Sequence, residues 1–341
     1  MKKKVIHLEV IRIFALFCIV YNHIGYDFFR YTEDKFIGML SLVSSVICKI
    51  GVPLFFMISG ALLLGKEESW SVVYKKRVMR IAKIIVLFTV IRFLYECYVA
   101  KSMEFSAVYL VKSILTGNLL HPYWFLYAYL SVLLILPILR IVIKNLDQRG
   151  QVYLTALIAV FYVLIPLKIF FVNQEWPVTL LIDENICYLF LGHFIEHGLD
   201  RKHFNSRNMF LTLGAVVASV ALSVCLVVRP YLSGGEYARE LIPILSMPIA
   251  CAVFYLVRAF SLRLDKKENV FAGLIACIGS CVFGVYLIED YLRTLLAWVY
   301  GKMKVPAENL GLNIFSTFLV VTAGCVLVYF MKKLPILKRL I

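Results

Sequence analysis

The sequence predicts an all-α polytopic membrane protein of about ten transmembrane helices with both termini cytoplasmic, and three observations predict it. Of 341 residues, 62% are hydrophobic and only 17% are charged, whereas soluble domains run near half and a quarter. Mean hydropathy is +0.85. Stretches such as 152–172 and 209–228 are nearly uncharged and reach the about 20 residues that cross a hydrocarbon core roughly 30 Å thick.

Taken in order, apolar runs bounded by charges, Pro or Gly place spans at 6–27, 38–64, 81–99, 122–143, 152–172, 177–196, 208–229, 239–260, 278–299 and 309–331. Segments 104–118 and 268–277 are too short to cross and read as interfacial helices. The start, Met1-Lys2-Lys3-Lys4 before an apolar run, imitates a signal peptide, yet it lacks a small-residue cleavage site and carries Arg12 and His23. We read it as a retained first span. An even span count puts both ends on one side, and the surplus of Lys and Arg in the loops of that side makes it the cytoplasm. The same bias explains the net charge of +15 without nucleic acid. The length leaves a single membrane domain, 1–341, with no appended soluble domain expected.

Ionisable groups at membrane depth are expensive, about 2.5–3.5 kcal/mol each on insertion scales, so each is a functional candidate. Arg12 and His23 share the first span and, 11 residues apart, one face of it, separated by about 16 Å along the axis. The helix thus offers a permanent cation suited to phosphate or carboxylate and an imidazole able to exchange a proton. The plain alternative is that each snorkels to its nearer interface.

These two residues begin a series. The pair Arg12-x10-His23 is followed by Gly51-Val52-Pro53-Leu54-Phe55-Phe56-Met57-Ile58-Ser59-Gly60, Arg77-x-x-Arg80, Tyr123-Trp124-Phe125-Leu126 and Phe283-Gly284-Val285-Tyr286-Leu287-Ile288. In that order the motifs resemble the acyltransferase 3 family of bacterial membrane O-acyltransferases, over nearly the whole chain. The resemblance implies a ten-span protein of the bacterial plasma membrane. It would take an acyl group, usually acetyl from cytoplasmic acetyl-CoA, to a hydroxyl of an envelope glycan or glycolipid, with Arg12 and His23 essential. One departure matters: where many relatives end the ninth-span motif with His, this chain continues Glu289-Asp290. Glu289, Asp290 or Asp27 would then orient the imidazole of His23, as a third group commonly does beside a base, and we rank them in that order. Alternatively Glu289 or Asp290 only neutralises Arg92 or Arg293.

The basic cluster Lys75-Lys76-Arg77, Arg80 and Lys83 is a positive-inside anchor by itself. With the family resemblance, Arg77 and Arg80 become candidates for CoA phosphates, because guanidinium forks fit phosphate oxygens, and Arg12 would receive the next part of the donor. Tyr123 and Trp124 open the fourth span as an aromatic belt or as a wall for sugar stacking. Asp183 and Glu184 either bind acceptor hydroxyls or face a wet cleft.

Other patterns are declined. His193-Phe194-Ile195-Glu196-His197 matches an inverted zinc-protease motif, but no third ligand follows, so no metal is expected. The nine cysteines show no metal spacing. Ser59 reads as a packing residue rather than a nucleophile. The competing function is a carrier for a small polar solute, since buried charges also mark transport paths, though paired broken helices are lacking.

Overall fold

The computed structural model describes residues 5–24, 35–119, 121–172, 184–232, 242–263, 270–303, 310–335 and 337. They form helices, with no strand among the described residues. The order is α1 (Ile6–Ile24), α2 (Lys35–Cys48), α3 (Gly51–Leu63), α4 (Trp70–Val72), a π-helical turn Val73–Val78, α5 (Met79–Tyr98), α6 (Ala107–Thr116), α7 (Trp124–Asn145), α8 (Gln148–Val172), α9 (Glu184–His193), α10 (Ser206–Leu232), α11 (Ile242–Arg263), α12 (Val270–Met303) and α13 (Leu310–Met331).

Seven helical stretches among the described residues are long and apolar enough to cross a membrane. Six follow expected spans closely: α1, α7, α10, α11, α12 and α13. The seventh, 38–64 in the sequence reading, is two helices that meet at Lys49 and Ile50. Pro53 has no N–H to return to Lys49, so the ladder restarts with Leu54 bonding Ile50 at 2.9 Å.

The other three expected spans fare differently. Segment 81–99 falls on α5, which carries Lys83, Arg92 and Glu96 and is too charged to qualify. Segment 152–172 falls on α8, and 177–196 begins outside the described residues and continues as the ten-residue α9. The expected interfacial helix at 268–277 is, from Val270 on, continuous with the ninth span. No charge or proline interrupts Val270 to Ser280, so α12 runs unbroken for 34 residues. The short helix expected at 104–118 is α6, N-capped by Ser106, whose side chain accepts from Tyr109 N, and ended by Gly117 in the left-handed region at φ 70°.

The first helix is the hub of the bundle, packing against α2, α3, α11, α12 and α13. Ile11, Ala15, Leu16, Cys18 and Val20 are fully buried, so its two polar candidates, three turns apart, are held among neighbours rather than lipid. By contrast α10 turns Phe210, Leu211, Val217 and Leu222 outward, as a lipid-facing helix does.

Two close crossings set the centre. On α3 a Cβ at Gly60 would lie 1.8 Å from the Leu189 carbonyl oxygen, and on α9 one at Gly192 would lie 2.0 Å from the Met57 carbonyl oxygen. These backbones touch because neither residue has a side chain, the usual device for close approach in membranes. Gly60→Val or Gly192→Leu should therefore lower the melting temperature of the purified protein sharply, overpacking costing about 1–3 kcal/mol or more. Gly214→Ala, on α10 with open space around its Cβ, should leave it unchanged or slightly raised.

Candidate functional site

The C-terminal end of α1 meets α12 in a compact ionic network. Glu289 is fully buried, and a carboxylate so placed must be paired and hydrogen-bonded. His23 donates from Nδ1 to its Oε1 at 2.7 Å, and Arg293 donates from Nε to its Oε2 at 2.6 Å. Arg293, one turn on along α12, also donates to the His23 carbonyl oxygen at 2.9 Å and to Asp290 Oδ1 at 2.7 Å. Asp290 faces Arg92 of α5 at 3.7 Å, and Arg92 pairs with Glu96 at 2.7 Å.

Of the three carboxylates offered as partners for His23, then, Glu289 is the one the structure places against it. Asp290 is turned to Arg293 and Arg92. Asp27 lies outside the described residues. Neutralisation of Arg293 and contact with the imidazole prove not to be alternatives, because Glu289 does both at once, while Arg92 is met by Asp290 and Glu96.

One helical turn below Glu289, α12 presents Tyr286, and its hydroxyl donates to the Pro122 carbonyl oxygen at 2.6 Å. Tyr123 answers by donating to the carbonyl oxygen of Leu287. This reciprocal pair pins the start of α7 to α12. Tyr123 is 1% exposed and its ring lies against Phe88 and Tyr286, centroids 5.6 and 6.0 Å away. That corrects its expected role as an open stacking wall, since both the ring and the hydroxyl are committed to packing. Trp124, 51% exposed, keeps an accessible face.

Below the tyrosines opens a cavity of about 440 Å³, lined by Arg12, Ser59, Lys76, Arg77, Arg80, Phe125, Tyr129, Phe283 and Tyr286 among others, with no acidic side chain among the described residues of its wall. Four cations facing one half-open space give it a positive potential that favours anions. Arg12 is aimed by Glu9, which takes its Nη1 at 2.6 Å and is itself buried against Gly279. Arg80 lies over the ring of Phe283 at 5.4 Å. Ser59 returns its hydroxyl to the Phe55 carbonyl oxygen at 2.8 Å, a helix back-bond that leaves it a lining group.

Arg77 is less free than the sequence suggests. Its Nε and Nη2 grip Glu68 at 3.0 and 2.8 Å, and Arg140 of α7 reaches the same carboxylate at 3.1 Å. Lys66 donates to it as well. Arg77 first, then Lys66 and Arg140, hold the Glu68 carboxyl well below the usual carboxylate range. Glu68, Arg140 and Glu9 are the groups the sequence reading missed. Glu9 carried a signal, three residues before Arg12 on one helix; Glu68 and Arg140 carried none.

The remaining candidates lie elsewhere. Asp183 is outside the described residues, and Glu184 is the exposed first residue of α9. In the π-helical turn Phe194–Gly198 that follows α9, Glu196 meets His7 at 2.9 Å and Arg258 at 3.5 Å. His197 donates to the Ala61 carbonyl oxygen at 2.8 Å. The declined His-x-x-Glu-His pattern thus serves as ties between α1, α3, α9 and α11.

Two outcomes follow. Glu289→Ala should destabilise the protein by about 3–5 kcal/mol, because it strands His23 and Arg293 beside a buried space; thermal melting in detergent measures it. A carboxyl whose pKa is depressed on folding stabilises the fold above its unfolded value and loses that contribution as pH falls through the folded one. The Glu68 contribution should therefore persist at neutral and mildly acidic pH and fade only below the ordinary carboxylate range. Glu68→Gln should be less stable at pH 7 and should lose part of the acid-limb slope.

Residues 5–330 match the model of a protein family described as an acyltransferase domain. No curated protein and no solved structure matches the chain.

Proposed function

The chain belongs to the acyltransferase 3 family, and from that premise we propose that it is an O-acyltransferase of the bacterial plasma membrane. It would move an acyl group, acetyl in the simplest case, from cytoplasmic acyl-CoA to a hydroxyl of an envelope glycan or glycolipid. The observation that carries this reading is one helix with two chemistries: Arg12 in a basic cavity and, about 16 Å along α1, His23 bonded to a buried carboxylate.

In this reading the phosphates of the donor meet Arg77, Arg80 and Lys76 at the mouth, and its acyl arm passes Arg12 toward Tyr286. His23, with Nδ1–H committed to Glu289, takes the acceptor hydroxyl's proton on Nε2. The acceptor oxygen forms its bond to the acyl carbonyl carbon as the carbon–sulfur bond breaks. The thiolate leaves, and the imidazolium proton returns to it. Glu289 stabilises the imidazolium while charge develops, and Arg293 holds the carboxylate in place. Trp124 and Glu184, both exposed, are the groups this reading offers to the acceptor. The carrier alternative draws only on the buried charges that both readings share.

His23→Ala should abolish transfer to an acceptor hydroxyl while leaving acyl-CoA binding within about twofold, a positioned base being worth roughly 10²–10⁴-fold. A folded His23→Ala protein that turned over at the wild-type rate would end the assignment. Arg80→Ala should weaken acyl-CoA binding by about 1–3 kcal/mol and reduce its sensitivity to salt, as titration calorimetry would read. Unchanged affinity at every ionic strength would return Arg80 to a purely topological role.

A further inference from the structure

A second cavity, about 570 Å³, lies beside the first and is not used by the mechanism above. Its wall is the connection from α3 to α4, with Lys66, Glu67, Glu68 and Trp70, packed against the end of α7, with Pro137, Arg140 and Lys144. The two cavities share a partition. Arg77 lines the first and is bonded to Glu68, which lines the second. They therefore lie one ion pair apart.

Charge in the second cavity does not close. Glu68 is the common acceptor of Lys66, Arg77 and Arg140, so three cations converge on one carboxylate. Glu67 takes Lys144 at 2.9 Å, but both are largely exposed, and such a pair is held weakly and exchanges readily. Arg140 is only 9% exposed. Its Nε is spent on the Leu63 carbonyl oxygen at 2.8 Å and its Nη2 on Glu68, while Nη1 has no hydrogen-bond partner among the described residues. A buried guanidinium with an unmet donor, in a wall of surplus positive charge, calls for an anion with several acceptor oxygens. At the rim Trp70 stands 52% exposed, its ring open to a ligand on one side. A half-open indole beside cations suits a flat heteroaromatic ring carrying phosphates, because stacking and charge act on different parts of one ligand.

We propose that this second cavity binds the adenosine 3′,5′-bisphosphate end of the donor, with Trp70 against the base and Lys66, Arg140 and Lys144 toward the 3′-phosphate. The inference rests on the acyl-CoA reading and deepens it. The pyrophosphate would cross the partition at Arg77, and the pantetheine arm would enter the first cavity beside Arg80 and Arg12. Glu68 then keeps the fork of Arg77 and the guanidinium of Arg140 in place between the two halves of one ligand.

The test uses the full chain in detergent and three probes: adenosine 3′,5′-bisphosphate, coenzyme A and dephospho-coenzyme A, which lacks the 3′-phosphate. Trp70→Leu and Lys144→Glu both change exposed residues and should leave melting unaltered. Each should weaken the bisphosphate and coenzyme A by about tenfold or more. Lys144→Glu should weaken dephospho-coenzyme A much less, because its target phosphate is missing. Arg80→Ala, in the first cavity, should weaken coenzyme A while sparing the bisphosphate. Coenzyme A binding that survives both second-cavity variants would overturn the proposal and leave the donor reading standing. A wild-type protein that binds neither coenzyme A nor the bisphosphate would overturn both. Binding of phosphatidylglycerol that depends on Lys144, without binding of the bisphosphate, would assign the cavity to a lipid headgroup and overturn the proposal.

Discussion

The structure turns on one buried carboxylate. Glu289 has no exposed surface, and an ionised carboxylate without water is tolerable only where donors surround it. His23 and Arg293 supply those donors from two helices, and Arg293 returns a further bond to the backbone of α1 at His23. This fixes the C-terminal end of α1 against α12, in height and in rotation. Given that fix, the rest of α1 has one orientation, and Arg12 must point toward the cavity three turns below. The same stripe of α12 carries Tyr286 and Phe283 into that cavity and Gly279 against Glu9. A single helix pair therefore sets the imidazole, the cavity wall and the Arg12 guanidinium together.

Much of this was legible because it lies along single helices. The spacing of Arg12 and His23 gives a shared face by arithmetic, and Glu289 follows its motif by one residue on α12. Even the ambiguity about Glu289 was real, since Arg293 sits four residues on and is bonded to it. The fold was legible to the same depth. Apolar runs locate the helices, but their interruptions follow local chemistry that hydropathy smooths over. The break at Lys49 and Ile50 comes from Pro53, and the continuity of α12 through 270–277 from the lack of any breaker.

What the sequence hid depends on distant pairing. Glu68 meets Arg140 across 72 positions, and no period or motif links them. The reading of Arg77 as an open phosphate ligand failed to foresee its partner for that reason. Tyr123 was misjudged by a different route: an aromatic residue at the start of a span looks like an interface anchor, yet its hydroxyl is needed by the Leu287 carbonyl oxygen inside the bundle. In a medium without water such a bond decides the side chain's position, and only the packed structure reveals that the acceptor is there.

The separation of the two chemistries also narrows the kind of ligand that can use them. A small anion held by Arg12 would stay about 16 Å from His23 along α1, with the layer of Tyr123 and Tyr286 between. Nothing in α1 can shorten that gap, because both ends are fixed: Arg12 by Glu9, His23 by Glu289. A ligand that engages both must carry its charge at one end and its reactive group on a long, slender and largely apolar arm, able to lie against Phe125, Phe283 and Tyr286. A compact polar solute satisfies neither half of that description. Under the proposed function an acyl thioester on a phosphate-bearing carrier would satisfy both, its charged end meeting the four cations of the cavity and its reactive end the base on the far side of the aromatic layer, where Arg293 and Arg92 are already matched by carboxylates.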